Sequence, residues 1–158
     1  MHAVVDTYGS YAFGFLHTCK MPDSAVSVPH NDALPFYRSR GISVQAVLTD
    51  NGREFCGNSN HPYELYLALN DIEHRRTKVR SPKTNGFIER FNRTVLDEYF
   101  RIAFRERYFE SVDALQEDFD RWLDHYNNER PHQGYRNKGK RPIDTINGYL
   151  QSQDMKVS

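Results

Sequence analysis

Asp50 and Glu89 are the two acidic side chains whose settings could do chemistry. Asp50 follows the short apolar run Val44, Ala46, Val47 and Leu48, so a buried strand would deliver its carboxylate at the C-terminal end. Glu89 falls in the first turn of a helix that the spacing of Ile88, Phe91, Val95 and Tyr99 predicts from Gly86 onward. A strand end facing a helix start can form a cleft for a divalent cation. Magnesium takes hard oxygen ligands and keeps several waters, so a few carboxylates plus substrate phosphate suffice to hold it. Two such ions about 3.5 to 4 Å apart can activate an attacking oxygen and stabilise a leaving one in an in-line displacement. Around these acids the charge is one-sided. Arg75, Arg76, Lys78, Arg80, Lys83, Arg90 and Arg93 fall in a segment where Glu89 is the single acid after Glu73. That local excess points to an anionic partner. Lys78, Arg80, Lys83, Arg90 and Arg93, with Asn85 in the loop before the helix, are the candidate phosphodiester contacts.

Each feature alone has a plainer reading. Asp50-Asn51-Gly52 is ordinary turn composition. A lone first-turn glutamate can simply complement the helix dipole, and a basic run can be a solvated edge strand. His61, His74, His125 and His132 show no zinc or helical metal spacing and are expected at the surface, whereas Trp122 and its aromatic neighbours are expected in the core.

The elements that would position these residues can be read along the chain. Ala3 to Val5 and Tyr11 to His17 are rich in β-formers and are separated by the turn-like Asp6-Thr7-Tyr8-Gly9-Ser10, which predicts a hairpin. A helix is expected after Pro22-Asp23, although Pro29 and Pro35 interrupt it. Tyr63 to Leu69 reads as a short helix, Ile72 to Val79 as a polar edge strand and Ser81 to Asn85 as a loop. Ser111 is a good N-cap for a second amphipathic helix carrying Val112, Leu115, Phe119, Trp122, Leu123 and Tyr126. After Asn127 the chain turns polar, with Pro131, Gly134, Gly139 and Pro142, and is expected to be loop or partner-dependent structure. This order of strands and helices is that of a mixed α/β layer fold.

Composition sets the remaining bounds. A chain of 158 residues suits one domain with a real core, and an apolar fraction of 38% with 27% charged residues marks it as globular. Its 21 basic and 21 acidic side chains cancel, so net charge says nothing about partners. Cys19 and Cys56 have no paired spacing, which indicates neither a zinc site nor a disulfide framework and suits a reducing cytoplasm. No apolar run reaches membrane-spanning length, and no signal peptide is seen.

Three stretches taken in order carry a family resemblance: Thr49-Asp50-Asn51-Gly52-Arg53-Glu54-Phe55; Lys78 to Arg93, with Ser81-Pro82-Lys83-Thr84-Asn85-Gly86 and Glu89-Arg90-Phe91-Asn92; and Tyr126-Asn127-Asn128-Glu129-Arg130-Pro131-His132-Gln133. Together, with 38 residues between Asp50 and Glu89, they resemble the integrase catalytic core of bacterial insertion-sequence DDE transposases, relatives of retroviral integrase. The resemblance covers nearly the whole chain. It implies an α/β, ribonuclease H-like mixed sheet flanked by helices. It also implies DNA transposition or integration by phosphodiester cleavage and strand transfer, using three acids with Mg2+ or Mn2+. Asp50 matches the second acid and Glu89 the third, both as catalytic residues and as metal ligands. The first acid belongs on a strand upstream of the one that Val5-Asp6-Thr7-Tyr8 resembles, so Asp6 does not take that role and the first strand is expected to precede Met1. On this reading residues 1–130 are a partial catalytic core and 131–158 a polar C-terminal extension. The partners implied are DNA and either further copies of the chain or a full-length transposase. A catalytically inactive DNA-binding or oligomerisation module is the alternative. An ordinary ribonuclease H shares the fold but leaves the Tyr126 to Gln133 motif unexplained.

Overall fold

The computed structural model describes residues 1–18, 24–57, 61–77 and 86–157, with side chains through residue 153. They divide into two compact units, Met1–Val4 with Phe15–Glu89, and Val5–Gly14 with Arg90–Ser158. Strands β1 (His2–Val5) and β2 (Ala12–Phe15) form a two-stranded sheet, as the hairpin composition predicts. Its turn is closed by Asp6 N–H on the Tyr11 carbonyl (2.8 Å) and Ser10 N–H on the Asp6 carbonyl (2.9 Å). The Asp6 carboxylate accepts the Tyr8 and Gly9 amides at 3.0 and 2.5 Å, so it caps this turn.

In the first unit the expected proline-interrupted helix is one helical path in three pieces: α1 (Ser24–Val28), a π segment (Pro29–Ala33) and α2 (Leu34–Arg38). Val28, Ala33 and Leu34 at the joints all keep right-handed helical angles. Each proline stands at the start of a piece, and the wider π turn removes the demand for the amide that proline lacks. Strand β3 (Ala46–Thr49) pairs in parallel with β4 (Glu73–Arg76), in the register Ala46↔Glu73 to Thr49↔Arg76. Parallel pairing needs a crossover, which α3 (Pro62–Leu69) supplies. Ala25, Leu34, Tyr63, Leu67 and Ile72 form the core beneath, with Val44, Val47 and Phe55 packed against it. Residues 78 and 79 of the expected edge strand, Arg80 and the loop 81–85 lie outside the described residues.

A helical run opens at Gly86 as α4 (Gly86–Val95), continues as a π segment (Leu96–Phe100) and ends as α5 (Arg101–Glu106). Phe91, Val95, Tyr99 and Ala103 are all buried. A strict spacing of four drifts by about 40° per step on a 3.6-residue helix. The π segment takes up that drift and keeps the stripe on one face. Ile88, expected on the same stripe, is half-buried.

In the second unit α6 (Val112–Asn128) starts where Ser111 predicts, its hydroxyl accepting the Ala114 amide at 3.1 Å. Phe119, Leu123 and Tyr126 are buried, but Val112 is exposed because it lies in the first turn, beyond the core. Trp122 is half-buried and stacks on Phe119 at 5.9 Å. Gly14 of β2 is required by the close approach of α6, since a Cβ there would stand 2.9 Å from Phe119 Cε1. The polar tail expected after Asn127 is corrected: the chain turns through 129–141 and forms α7 (Pro142–Val157), which buries Pro142, Thr145 and Ile146. Proline at the first helical position, with Asp144 in the first turn paired to Arg141, is what starts it.

Two residues of the polar stretch explain its composition. Asn127 is buried and accepts the Ala12 amide through Oδ1 while donating to the Ala12 carbonyl through Nδ2, both at 2.8 Å. Asn137, buried as well, donates to the Gly9 carbonyl at 2.7 Å. Both use amide side chains to satisfy strand and turn backbone that would otherwise be unpaired.

Candidate metal-binding site

Asp50 is the first residue past β3 and its side chain is exposed. One carboxylate oxygen accepts the Gly52 amide at 2.9 Å, the Asx turn expected of Asp-Asn-Gly. Asn51 donates to the Thr77 carbonyl at 3.1 Å, tying this turn to the end of β4.

Behind Asp50 lies a relay that local sequence patterns do not show. Thr49, buried, donates its hydroxyl hydrogen to the Asp50 carbonyl at 2.9 Å. Its oxygen lies 2.8 Å from His74 Nε2. With the hydroxyl hydrogen committed, His74 is the donor there and carries its proton on Nε2, as inferred from the network. Burial, with the neighbouring His61, holds the His74 pKa below its ordinary value. Its Nδ1 is buried without a hydrogen-bond partner, 3.7 Å from Glu64 Oε1, and Glu64 is itself paired with Arg76. His61 is buried also. Its Nδ1 accepts the Tyr63 amide at 3.3 Å, capping α3, and its Nε2 donates to the Arg53 carbonyl at 3.0 Å. Two histidines expected at the surface are thus buried (His61) or half-buried (His74), anchoring the segment that carries Asp50. His132 is half-buried beside Tyr126, at 4.4 Å between rings, whereas His125 is exposed as expected.

Glu89 is in the first turn of α4 and exposed, and Arg90 and Arg93 on the same helix are exposed as well. Lys78, Arg80, Lys83 and Asn85 lie outside the described residues. Asp50 and Glu89 belong to the same compact unit. Among the described residues no group of three or more His, Cys, Asp or Glu is gathered that could hold a metal. Both carboxylates face solvent, and magnesium is commonly held by one or two carboxylates and completed by waters and substrate phosphates.

Residues 70–139, which include Glu89 and the Tyr126 to Gln133 motif, match the integrase core domain family. The transposase InsD for insertion element IS2A/D/F/H/I/K of Escherichia coli is 35% identical over 91 residues, 56% of this chain and 28% of the relative. The catalytic core domain of BIV integrase superposes with a TM-score of 0.63 at 20% identity, over 99% of this chain and 88% of that one. The HTLV-2 integrase catalytic core domain, solved as a dimer in complex with magnesium, gives 0.57 at 17%, over 89% and 79%. The chain spans 28% to 38% of the length of the curated relatives it matches. The mixed α/β fold is therefore that of the integrase catalytic cores, ribonuclease H-like as the motifs imply. Residues 70–139 are thus similar to the integrase core domain family, and 91 residues of the chain are similar to the IS2 transposases.

Proposed function

We propose that this chain is a catalytic-core portion of a transposase, cutting and joining DNA strands with Asp50 and Glu89 as ligands of Mg2+ or Mn2+. The observation that carries this reading is the built position of Asp50: a strand end whose carbonyl is held by Thr49 and whose carboxylate is fixed by the Gly52 amide. Magnesium, when bound, supplies Lewis-acid stabilisation of the charge that builds on the transferring phosphate. The protein's own residues do the rest. Asp50 and Glu89 present oxygen ligands on ordered elements. Arg90 and Arg93 offer guanidinium groups to the phosphodiester backbone, joined by Lys78, Arg80, Lys83 and Asn85 on the strength of the sequence motif. Water or a DNA 3′ hydroxyl is the nucleophile, its oxygen bonding to phosphorus as the bond to the leaving 3′ oxygen breaks. The magnesium-bound, dimeric HTLV-2 core supports both the metal and the assembly of more than one copy. No helix among the described residues is long and apolar enough to cross a membrane, and a DNA substrate suits the cytoplasm.

The test is nicking and strand transfer on labelled DNA with magnesium or manganese. Asp50→Asn and Glu89→Gln should each lower cleavage by roughly 100-fold or more while leaving DNA binding intact. Cleavage that persists unchanged in Glu89→Gln overturns the role given to that residue. DNA binding by the wild type without any cleavage identifies an inactive module instead.

A further inference from the structure

The turn between α6 and α7 carries features that the proposed metal site does not use. Its backbone is closely tied: Lys138 N–H to the Gly134 carbonyl (2.9 Å), Gly139 N–H to the His132 carbonyl (2.8 Å), Lys140 N–H to the Asn137 carbonyl (2.8 Å) and His132 N–H to the Lys140 carbonyl (3.0 Å). Lys138 and Gly139 hold left-handed angles, φ 47° and 87°. Asn137 points inward as its anchor. What points outward is cationic and aromatic. Arg130 and Arg141 are spent on Glu98 and Asp144. Among the described residues Arg136, Lys138 and Lys140 form no ion pair. Tyr135 is 87% exposed, with Lys138 Nζ 5.9 Å from its ring. The Arg136 guanidinium lies 4.7 Å over Tyr8, whose ring meets Tyr149 edge-on at 5.3 Å. Asp144, which feels the Lys140 charge, is already paired with Arg141, and Asp6 is occupied by the Tyr8 and Gly9 amides.

A hydrogen-bonded turn that leaves a large ring in water beside three cations with no ion-pair partner among the described residues has the composition of a single-strand grip, in which rings stack on bases and cations follow phosphates. We propose that this turn is a second DNA-contacting surface, with Tyr135 stacking on an unpaired base and Arg136, Lys138 and Lys140 on the flanking phosphates. It rests on the reading that the chain acts on DNA, and lies in the unit that does not hold Asp50 and Glu89. Stacking requires a base free of its partner, so the surface takes a frayed or single-stranded end in preference to closed duplex.

Binding of the full chain to a duplex with a single-stranded tail, and to the same duplex blunt-ended, is the test, with circular dichroism melts to confirm folding. Tyr135→Ala should weaken tailed-duplex binding about tenfold and Tyr135→Phe should restore it, while blunt duplex changes by less than about twofold. The triple variant R136Q/K138Q/K140Q should flatten the slope of log affinity against log salt by about 2. In the wild type, ultraviolet cross-linking to bromodeoxyuridine in the tail should label Tyr135 itself. Wild-type affinity and salt slope in both variants, or a label that falls outside residues 134–140, overturns this surface and leaves the transposase reading standing. A wild-type chain that binds neither DNA overturns both.

Discussion

Valine in place of Thr49 keeps the branched shape and the strand preference of that position but removes the hydroxyl that joins the Asp50 carbonyl to His74. The His74 N–H is then left unpaired in a half-buried site, and an orphaned polar group of this kind costs about 1 to 3 kcal/mol. Thr49→Val should lower unfolding stability by about that amount, and Thr49→Ser should recover most of it. Cleavage should fall as well, because the backbone that aims Asp50 loses its tether, whereas DNA affinity should not move. Urea unfolding read beside the nicking assay checks both halves, and wild-type values in each would show that the bridge positions nothing. A comparable knot sits in the second unit. Asp118 accepts Arg107 at 2.5 Å, Arg121 at 3.1 Å and the Tyr99 hydroxyl at 3.1 Å. Burial, then the Asp118 charge, pushes the Tyr99 hydroxyl well above its ordinary pKa, so it remains a donor. The two arginines reach solvent and can rehydrate, which places the cost of Asp118→Ala at about 2 kcal/mol, below the ~3 to 5 kcal/mol of a broken buried pair. An unchanged urea midpoint would show the cluster to be surface decoration.

Among the elements, β2 is held by a side chain acting as backbone. Asn127→Ala removes both bonds to Ala12 from a buried position, a loss of about 2 to 4 kcal/mol when donor and acceptor are each left unpaired. The Ala12 amide should then exchange with solvent faster than the amides in the middle of α6, which keep their helical bonds. Equal exchange in variant and wild type would remove Asn127 from this role. The parts of the fold legible in the sequence are those set by local physics. The apolar run before Asp50 gave a strand, Ser111 gave a helix start, and the spacing of Phe91, Val95 and Tyr99 gave a buried stripe. Illegible parts depended on partners far along the chain. His74 meets Thr49 across 25 residues, and Asn127 meets Ala12 across 115, so neither has a local signature. The π segments escape periodicity because they reset it. Helix α7 was hidden by polar composition, although Arg141-Pro142-Ile143-Asp144 carries the start signal of proline at the first helical position and acid in the first turn.

For the whole molecule, histidines in both units set the response to acid. His17 and His74 lie in the first unit and His132 in the second, and the pKa of each is held below its ordinary value chiefly by burial. For His17 the N-terminal charge adds to this, for His74 the neighbouring His61, and for His132 Arg130, against a raising bond to the Tyr126 carbonyl. An unfolded histidine binds its proton near pH 6.5, so from about that pH downward the unfolded chain takes up protons that the folded chain refuses. Stability from these groups is therefore full above about pH 6.5 and is lost as the pH falls toward the folded values. The carboxylates with lowered pKa act elsewhere. Glu73, held down by Arg75, and Asp144, held down by Arg141, lose their contributions only below about pH 4.5, where unfolded carboxylates begin to protonate. Between pH 7 and 5 the thermal midpoint should fall, and the histidines should be the cause. His132→Gln, which can still donate to the Tyr126 carbonyl, should flatten that fall even if its midpoint at pH 7 is lower. Thermal unfolding of wild type and His132→Gln across this range decides it: a midpoint independent of pH, or one whose slope is the same in both chains, would mean that the buried imidazole is not what acid attacks.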